Sequence, residues 1–84
     1  MKEVTYSKQA IKTLSRIPAN ESARIRSKVR QYADNPASQM NNVRKLQGRD
    51  AYRLRVGDWR IIFGEDEVVI DVIRIGARGS VYED

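Results

Sequence analysis

Residues 52–63 read YRLRVGDWRIIF, and the fold follows from how this stretch is paired. Tyr52, Leu54 and Val56 alternate with Arg53 and Arg55, the two-residue period of a strand with one buried face. The alternation resumes after Gly57-Asp58 in Trp59, Ile61 and Phe63. Glycine at the first of two loop positions suits a type II′ hairpin turn, because that position needs a positive φ. A two-residue loop pairs Val56 with Trp59, Arg55 with Arg60, Leu54 with Ile61 and Arg53 with Ile62. Tyr52, Leu54, Val56, Trp59, Ile61 and Phe63 then share the covered face, and Arg53, Arg55 and Arg60 project from the other.

Working outward, the strands are expected at 51–57, 58–64 and 67–75, with a second turn at Gly64-Glu65-Asp66-Glu67. If Phe63 pairs with Val68 across that loop, Arg60 meets Asp71. Opposite charges in that position stabilise by up to ~1 kcal/mol, so Asp71 is expected to support the Arg60 guanidinium. Upstream, KEVTYS reads as a short strand and Ser7 as a helix cap. Ala10, Ile11, Leu14 and Ile17 lie at the spacing of one helical face, and Ile17-Pro18 ends that helix. A second helix carries the stripe Ile25, Val29, Tyr32 and Ala33 and stops around Asp34-Asn35-Pro36. Residues 36–50 show no period and read as a loop anchored by Val43 and Leu46. The expectation is one α+β domain over residues 1–84, ordered β-α-α-β-β-β, with an antiparallel sheet and a two-helix hairpin on one face.

Composition narrows the chemistry. The 84 residues include no histidine and no cysteine, which excludes Ser-His-Asp and Cys-His catalysis, disulfides and cysteine-based zinc sites. No metal or other cofactor is expected. No apolar run approaches the ~20 residues of a membrane helix. MKEVTYSK lacks the apolar core of a secretory signal, so a cytoplasmic protein with no membrane partner is expected.

Sixteen Lys and Arg against eleven Asp and Glu give a net charge of +5. The positive groups crowd residues 41–60, where Arg44, Lys45, Arg49, Arg53, Arg55 and Arg60 face only Asp50 and Asp58. One reading is a solvated face with arginine stems packed on the sheet. The other is a bound polyanion, since arginine's planar fork grips phosphate oxygens at two points. Antiparallel pairing brings the end of the last strand near Gly57-Asp58, so Arg78 and Tyr82 are expected beside the arginines. Tyr82 would stack on an unpaired base or exchange a proton.

YRLRVGDWRIIF followed by EVVIDVIRIGARGSVY resembles the RelE/ParE superfamily of toxins from bacterial type II toxin–antitoxin operons. QAIKTLSRIP and KLQG fall in the matching order upstream. The RelE branch, which the resemblance favours, consists of ribosome-dependent endoribonucleases that cut mRNA in the A site. The resemblance implies Arg60, Arg78 and Tyr82 as catalytic residues, with Arg53, Arg55, Arg49 and Lys45 binding RNA. It also implies a cognate antitoxin, the ribosome and mRNA as partners, with operator DNA reached only through the antitoxin complex. Two alternatives stay open: a ParE-like inhibitor of DNA gyrase, and a degenerate member that only binds antitoxin and operator DNA.

Overall fold

The computed structural model describes residues 2–77. The chain opens with β1 (Glu3–Tyr6), followed by α1 (Lys8–Arg16), α2 (Ala19–Asp34) and a 3₁₀ helix (Pro36–Asn42). Four strands complete it: β2 (Val43–Lys45), β3 (Tyr52–Val56), β4 (Trp59–Glu65) and β5 (Val69–Ala77). They form one sheet in the order β1-β5-β4-β3-β2. The α+β class is as expected, but the sheet is mixed, because β1 pairs with β5 in parallel.

The β3–β4 hairpin has the expected register, with Arg55 opposite Arg60 and Val56 opposite Trp59. Gly57 takes φ 59, and among the described residues no residue other than glycine has a positive φ. Only the first loop position is left-handed, which makes the turn type II′.

Ser7 caps α1, its Oγ accepting from the Ala10 N–H at 3.1 Å while donating to the Ile73 carbonyl at 2.6 Å. Where β1 runs out, the Gln9 amide continues the ladder. It donates to Ile75 O at 3.4 Å and accepts from Ile75 N at 3.2 Å. Those bonds satisfy backbone groups of β5 that no strand reaches. The helix stops because Ile17, preceding Pro18, is extended (φ −87, ψ 165). Its inner face is narrower than expected: Ala10 and Leu14 are buried, whereas Ile11 is 52% exposed. In α2 the stripe Ile25, Val29, Tyr32 and Ala33 is buried as read.

The core lies between the helices and one face of the sheet, around Phe63, Ile25, Leu54, Ile61, Ile70, Val72 and Ile75. Phe63 anchors it, its ring 5.5 Å from Tyr52 and 5.2 Å from Tyr32. A smaller cluster of Leu46, Ala51 and Ile62 covers part of the opposite face.

Two expectations are corrected. Residues 36–50 are not all loop: the 3₁₀ helix fills their first half, and Val43–Lys45 forms the edge strand β2, antiparallel to β3. The pairing of Arg60 with Asp71 also fails. The β4–β5 turn sits further along the chain, at Asp66, whose carboxylate accepts from the Val68 and Val69 N–H groups, each at 2.8 Å. Glu65 therefore faces Ile70 and Gly64 faces Asp71, and an irregularity at Ile62/Phe63 shifts the register once more. Arg60 ends opposite Gly76, while Asp71 accepts from Thr5 Oγ1 at 2.9 Å beside β1. No helix among the described residues is long and apolar enough to cross a membrane.

Candidate nucleic-acid interface

The face of the sheet turned away from the helices collects the arginines. Arg44 lies opposite Arg53, Arg53 opposite Ile62, and Arg55 opposite Arg60. Ile62 in turn faces Arg74, so five arginines on four strands share this surface. Paired positions put side chains on the same side, so the register alone determines the grouping. Ile62 is buried among them with Leu46 and Ala51, giving the cations an apolar floor. Guanidinium stems can pack there while their heads stay at the surface.

A depression of about 120 Å³ is lined by Asn41, Asn42, Arg44, Arg53, Arg55 and Arg60. That space is large enough to admit several waters or a phosphate group. Arg60 is folded toward the hairpin turn, its Nη1 donating to Trp59 O at 3.1 Å and Gly57 O at 3.3 Å. The ion pairs formed between described residues join Lys2 to Glu65 and Arg30 to Asp34, neither of them in this groove. Two like-charged pairs across adjacent strands oppose folding by up to ~1 kcal/mol each. A ligand phosphate would bring to the groove a negative charge that none of its described lining residues carries.

The residues expected at the site divide by position. Arg53, Arg55 and Arg60 come together as read from the hairpin. Lys45 and Arg49 do not join them. Lys45 pairs with Tyr52 and so points to the helix side, its Nζ 5.7 Å from the Tyr52 ring and bonded to Arg49 O at 2.9 Å. Both line a separate, wider depression with Gln47, Gly48 and Asp50. Asp71 supports Thr5 instead of Arg60. Arg78 and Tyr82 lie outside the described residues; β5 is described to Ala77, opposite Trp59 and one residue from the Arg60 pairing.

Reading by periodicity missed Arg44, Asn41, Asn42 and Arg74. Val43-Arg44-Lys45 does alternate, but three residues are too few for the pattern to stand out.

The chemistry available in the groove is one-sided. Among the described residues its lining holds guanidiniums and amides, with neither a carboxylate nor a phenol. Two tyrosines elsewhere are held more firmly protonated. Burial raises the Tyr6 phenol against the lowering effect of Arg26 and Arg30, and burial with the Glu65 hydrogen bond raises Tyr32. These groups can orient a phosphodiester and stabilise charge on it, but arginine is too weak an acid to act as a base near neutral pH.

A family model for the ParE toxin of type II toxin–antitoxin systems (parDE) matches residues 4–82. Comparison with curated protein sequences gave no match. Among solved structures, the chain resembles the archaeal RelE–RelB complex from Pyrococcus horikoshii OT3 at 28% identity and a TM-score of 0.79. That alignment covers 95% of this chain and 98% of the other. The intact E. coli RelBE toxin–antitoxin complex aligns at 22% identity and TM-score 0.72, covering 92% and 96% of the two chains. YafQ from E. coli strain BL21(DE3) aligns at 16% identity and TM-score 0.74, covering 99% and 100%. The chain belongs to the ParE toxin family of type II toxin–antitoxin systems, within the RelE/ParE superfamily, and it carries the RelE-like fold.

Proposed function

We propose that this toxin is a ribosome-dependent mRNA endoribonuclease whose arginine face holds the scissile phosphate. The observation that carries the reading is the groove of Arg44, Arg53, Arg55 and Arg60, whose described lining consists of cations and amides. In the proposed reaction the RNA 2′-oxygen bonds to the adjacent phosphorus and the P–O5′ bond breaks. The hydroxyl proton is removed and the departing 5′-oxygen gains one, leaving a 2′,3′-cyclic phosphate and a 5′-hydroxyl. Arg60 and Arg78 stabilise charge on the phosphorane, and Arg53 and Arg55 hold the flanking backbone. Tyr82 stacks on a base or moves a proton, and Lys45 and Arg49 contact RNA further along. With no strong base among the described residues of the groove, alignment by the ribosome supplies the in-line geometry. A cognate antitoxin, operator DNA reached through that complex, and a cytoplasmic location complete the reading.

Purified ribosomes programmed with a message provide the test. Cleavage in the A-site codon, suppressed at least a hundredfold by Arg60→Ala, is expected from loss of one charge-stabilising donor. Intact message with persistent toxicity would refute the reading. The ParE description of the matching family favours a second one, inhibition of DNA gyrase. That reading expects double-strand DNA breaks while translation continues.

A further inference from the structure

Four of the six described residues lining the groove are arginines, and a guanidinium only donates hydrogen bonds. A ribonucleotide brings a phosphate, which accepts, and a 2′-hydroxyl, which can also donate. Asn41 and Asn42 are the lining side chains that offer an acceptor oxygen. Among the described residues, only Asn42 of the two has its side chain bonded to another side chain. Asn42 Nδ2 donates to Gln39 Oε1 at 3.3 Å, and Gln39 Nε2 donates to Gln31 Oε1 at 3.0 Å. Gln31 Nε2 closes the series on Ser27 Oγ at 3.3 Å. The relay thus runs from α2 through the 3₁₀ helix to the rim of the groove.

Its middle member is unusual. Gln39 is 4% exposed, and it is the buried polar residue of the described chain. Burying an amide is unfavourable unless its groups are bonded, and a leucine there would avoid the problem. The bonds it makes consume one Asn42 N–H and fix the amide's orientation. Among the described residues nothing donates to Asn42 Oδ1, so that acceptor remains for a ligand.

We propose that Asn42 forms a ribose subsite, its Oδ1 accepting the 2′-hydroxyl of the nucleotide whose phosphate the arginines hold, and that Gln39 is its positioning residue. The proposal rests on the RNA reading above. An amide oxygen is no base, so Asn42 does not take the proton. It selects RNA and orients the attacking oxygen, and the groove distinguishes RNA from DNA where its arginines alone would not.

The experiment measures binding of the isolated protein, without ribosomes, to single-stranded RNA and to 2′-fluoro RNA of the same sequence. The fluoro sugar keeps the ribose pucker but has no hydroxyl hydrogen to donate. Wild type is expected to prefer RNA by about fivefold to tenfold, the worth of one neutral hydrogen bond. Asn42→Ala, at a half-buried position, should bring the ratio near one. Gln39→Leu should do the same, a change in ratio that a purely structural role would not produce. Arg53→Ala should weaken both strands alike. A preference that survives in Asn42→Ala overturns the ribose subsite and leaves the RNA reading intact. If the ratio falls in Asn42→Ala but persists in folded Gln39→Leu, the positioning role is wrong. Equal binding of both strands by wild type, or binding of neither, overturns the subsite whatever the variants do, while cleavage by programmed ribosomes decides the RNA reading separately.

Discussion

Arg44→Glu is expected to make this protein more stable and a poorer ligand for RNA. Arg44 sits opposite Arg53 across the β2–β3 pair, and both line the groove. Directly paired residues lie about 5 Å apart between Cα atoms, and two unit charges at that separation in water repel by about 0.8 kcal/mol. Side chains this long can splay apart, which lowers the figure to about 0.5 kcal/mol. Glutamate turns the repulsion into a comparable attraction, a swing of about 1 kcal/mol. For a domain of this size that raises Tm by about 4–8 °C. The gain is electrostatic and near the surface, so it should shrink in 1 M salt, where the Debye length is only ~3 Å. The groove meanwhile loses one of its four cations and acquires an anion. RNA affinity should fall, and the slope of log affinity against log salt should drop by about 0.7 for the lost phosphate contact. Thermal denaturation at low and high salt, with fluorescence anisotropy on the same samples, measures all of this. A lower Tm at low salt, or a gain indifferent to salt, would refute the claim that Arg44 and Arg53 repel each other across the β2–β3 pair.

Other consequences can be tested on the same material. Tyr32→Phe removes the hydroxyl that donates to Glu65 Oε1 at 2.5 Å and should cost about 1–2 kcal/mol in urea denaturation, with the Lys2–Glu65 pair retained. Because folding raises the Tyr32 phenol, its stabilisation is full below the unfolded value near 10 and is lost as pH rises through the folded one. Wild type should therefore lose stability above about pH 10 more steeply than Tyr32→Phe. Asp66 behaves in the opposite sense: the Val69 and Val68 N–H groups hold its carboxyl below the ordinary value of 3.8. Its stabilisation is full above about pH 4 and is lost as pH falls through the lowered folded value, so Asp66→Asn should flatten the acid limb of a stability–pH curve. Gly48→Ala, at φ 74 with open space around it, should cost about 1 kcal/mol of backbone strain. Gly57→Ala, at φ 59 with the new Cβ 3.0 Å from Arg24 Nη1, should cost at least as much and displace that side chain.

Local pattern carried most of the fold. The β3–β4 register follows from two-residue alternation and one glycine, and the two helices from apolar spacing, a serine cap and a proline. The rest was settled by contacts distant in sequence or too short to leave a pattern. Nothing local to Glu3–Tyr6 specifies a parallel partner more than sixty residues away. Edge strand β2 offers only three residues, and it needs β3 beside it to become a strand. The Arg60–Asp71 pairing failed because it assumed an even ladder from a turn that Asp66 moves and an irregularity at Ile62/Phe63 shifts again. At the site, Arg53, Arg55 and Arg60 were legible because they share one hairpin. Arg44 was counted in the basic band but not placed in the site, and Asn42 was not singled out, because their place in the groove depends on the 3₁₀ helix and β2 folding back along β3.

The central claim is that RNA binds the arginine face of the sheet. Arginine side-chain NMR signals test it most directly, titrated with a short single-stranded RNA. The Nε–H resonances of Arg44, Arg53, Arg55 and Arg60 are expected to shift together and saturate, while those of Arg16, Arg24, Arg26 and Arg30 on the helices stay in place. Shifts confined to the helical arginines, or absent from the groove at saturating RNA, would contradict the account.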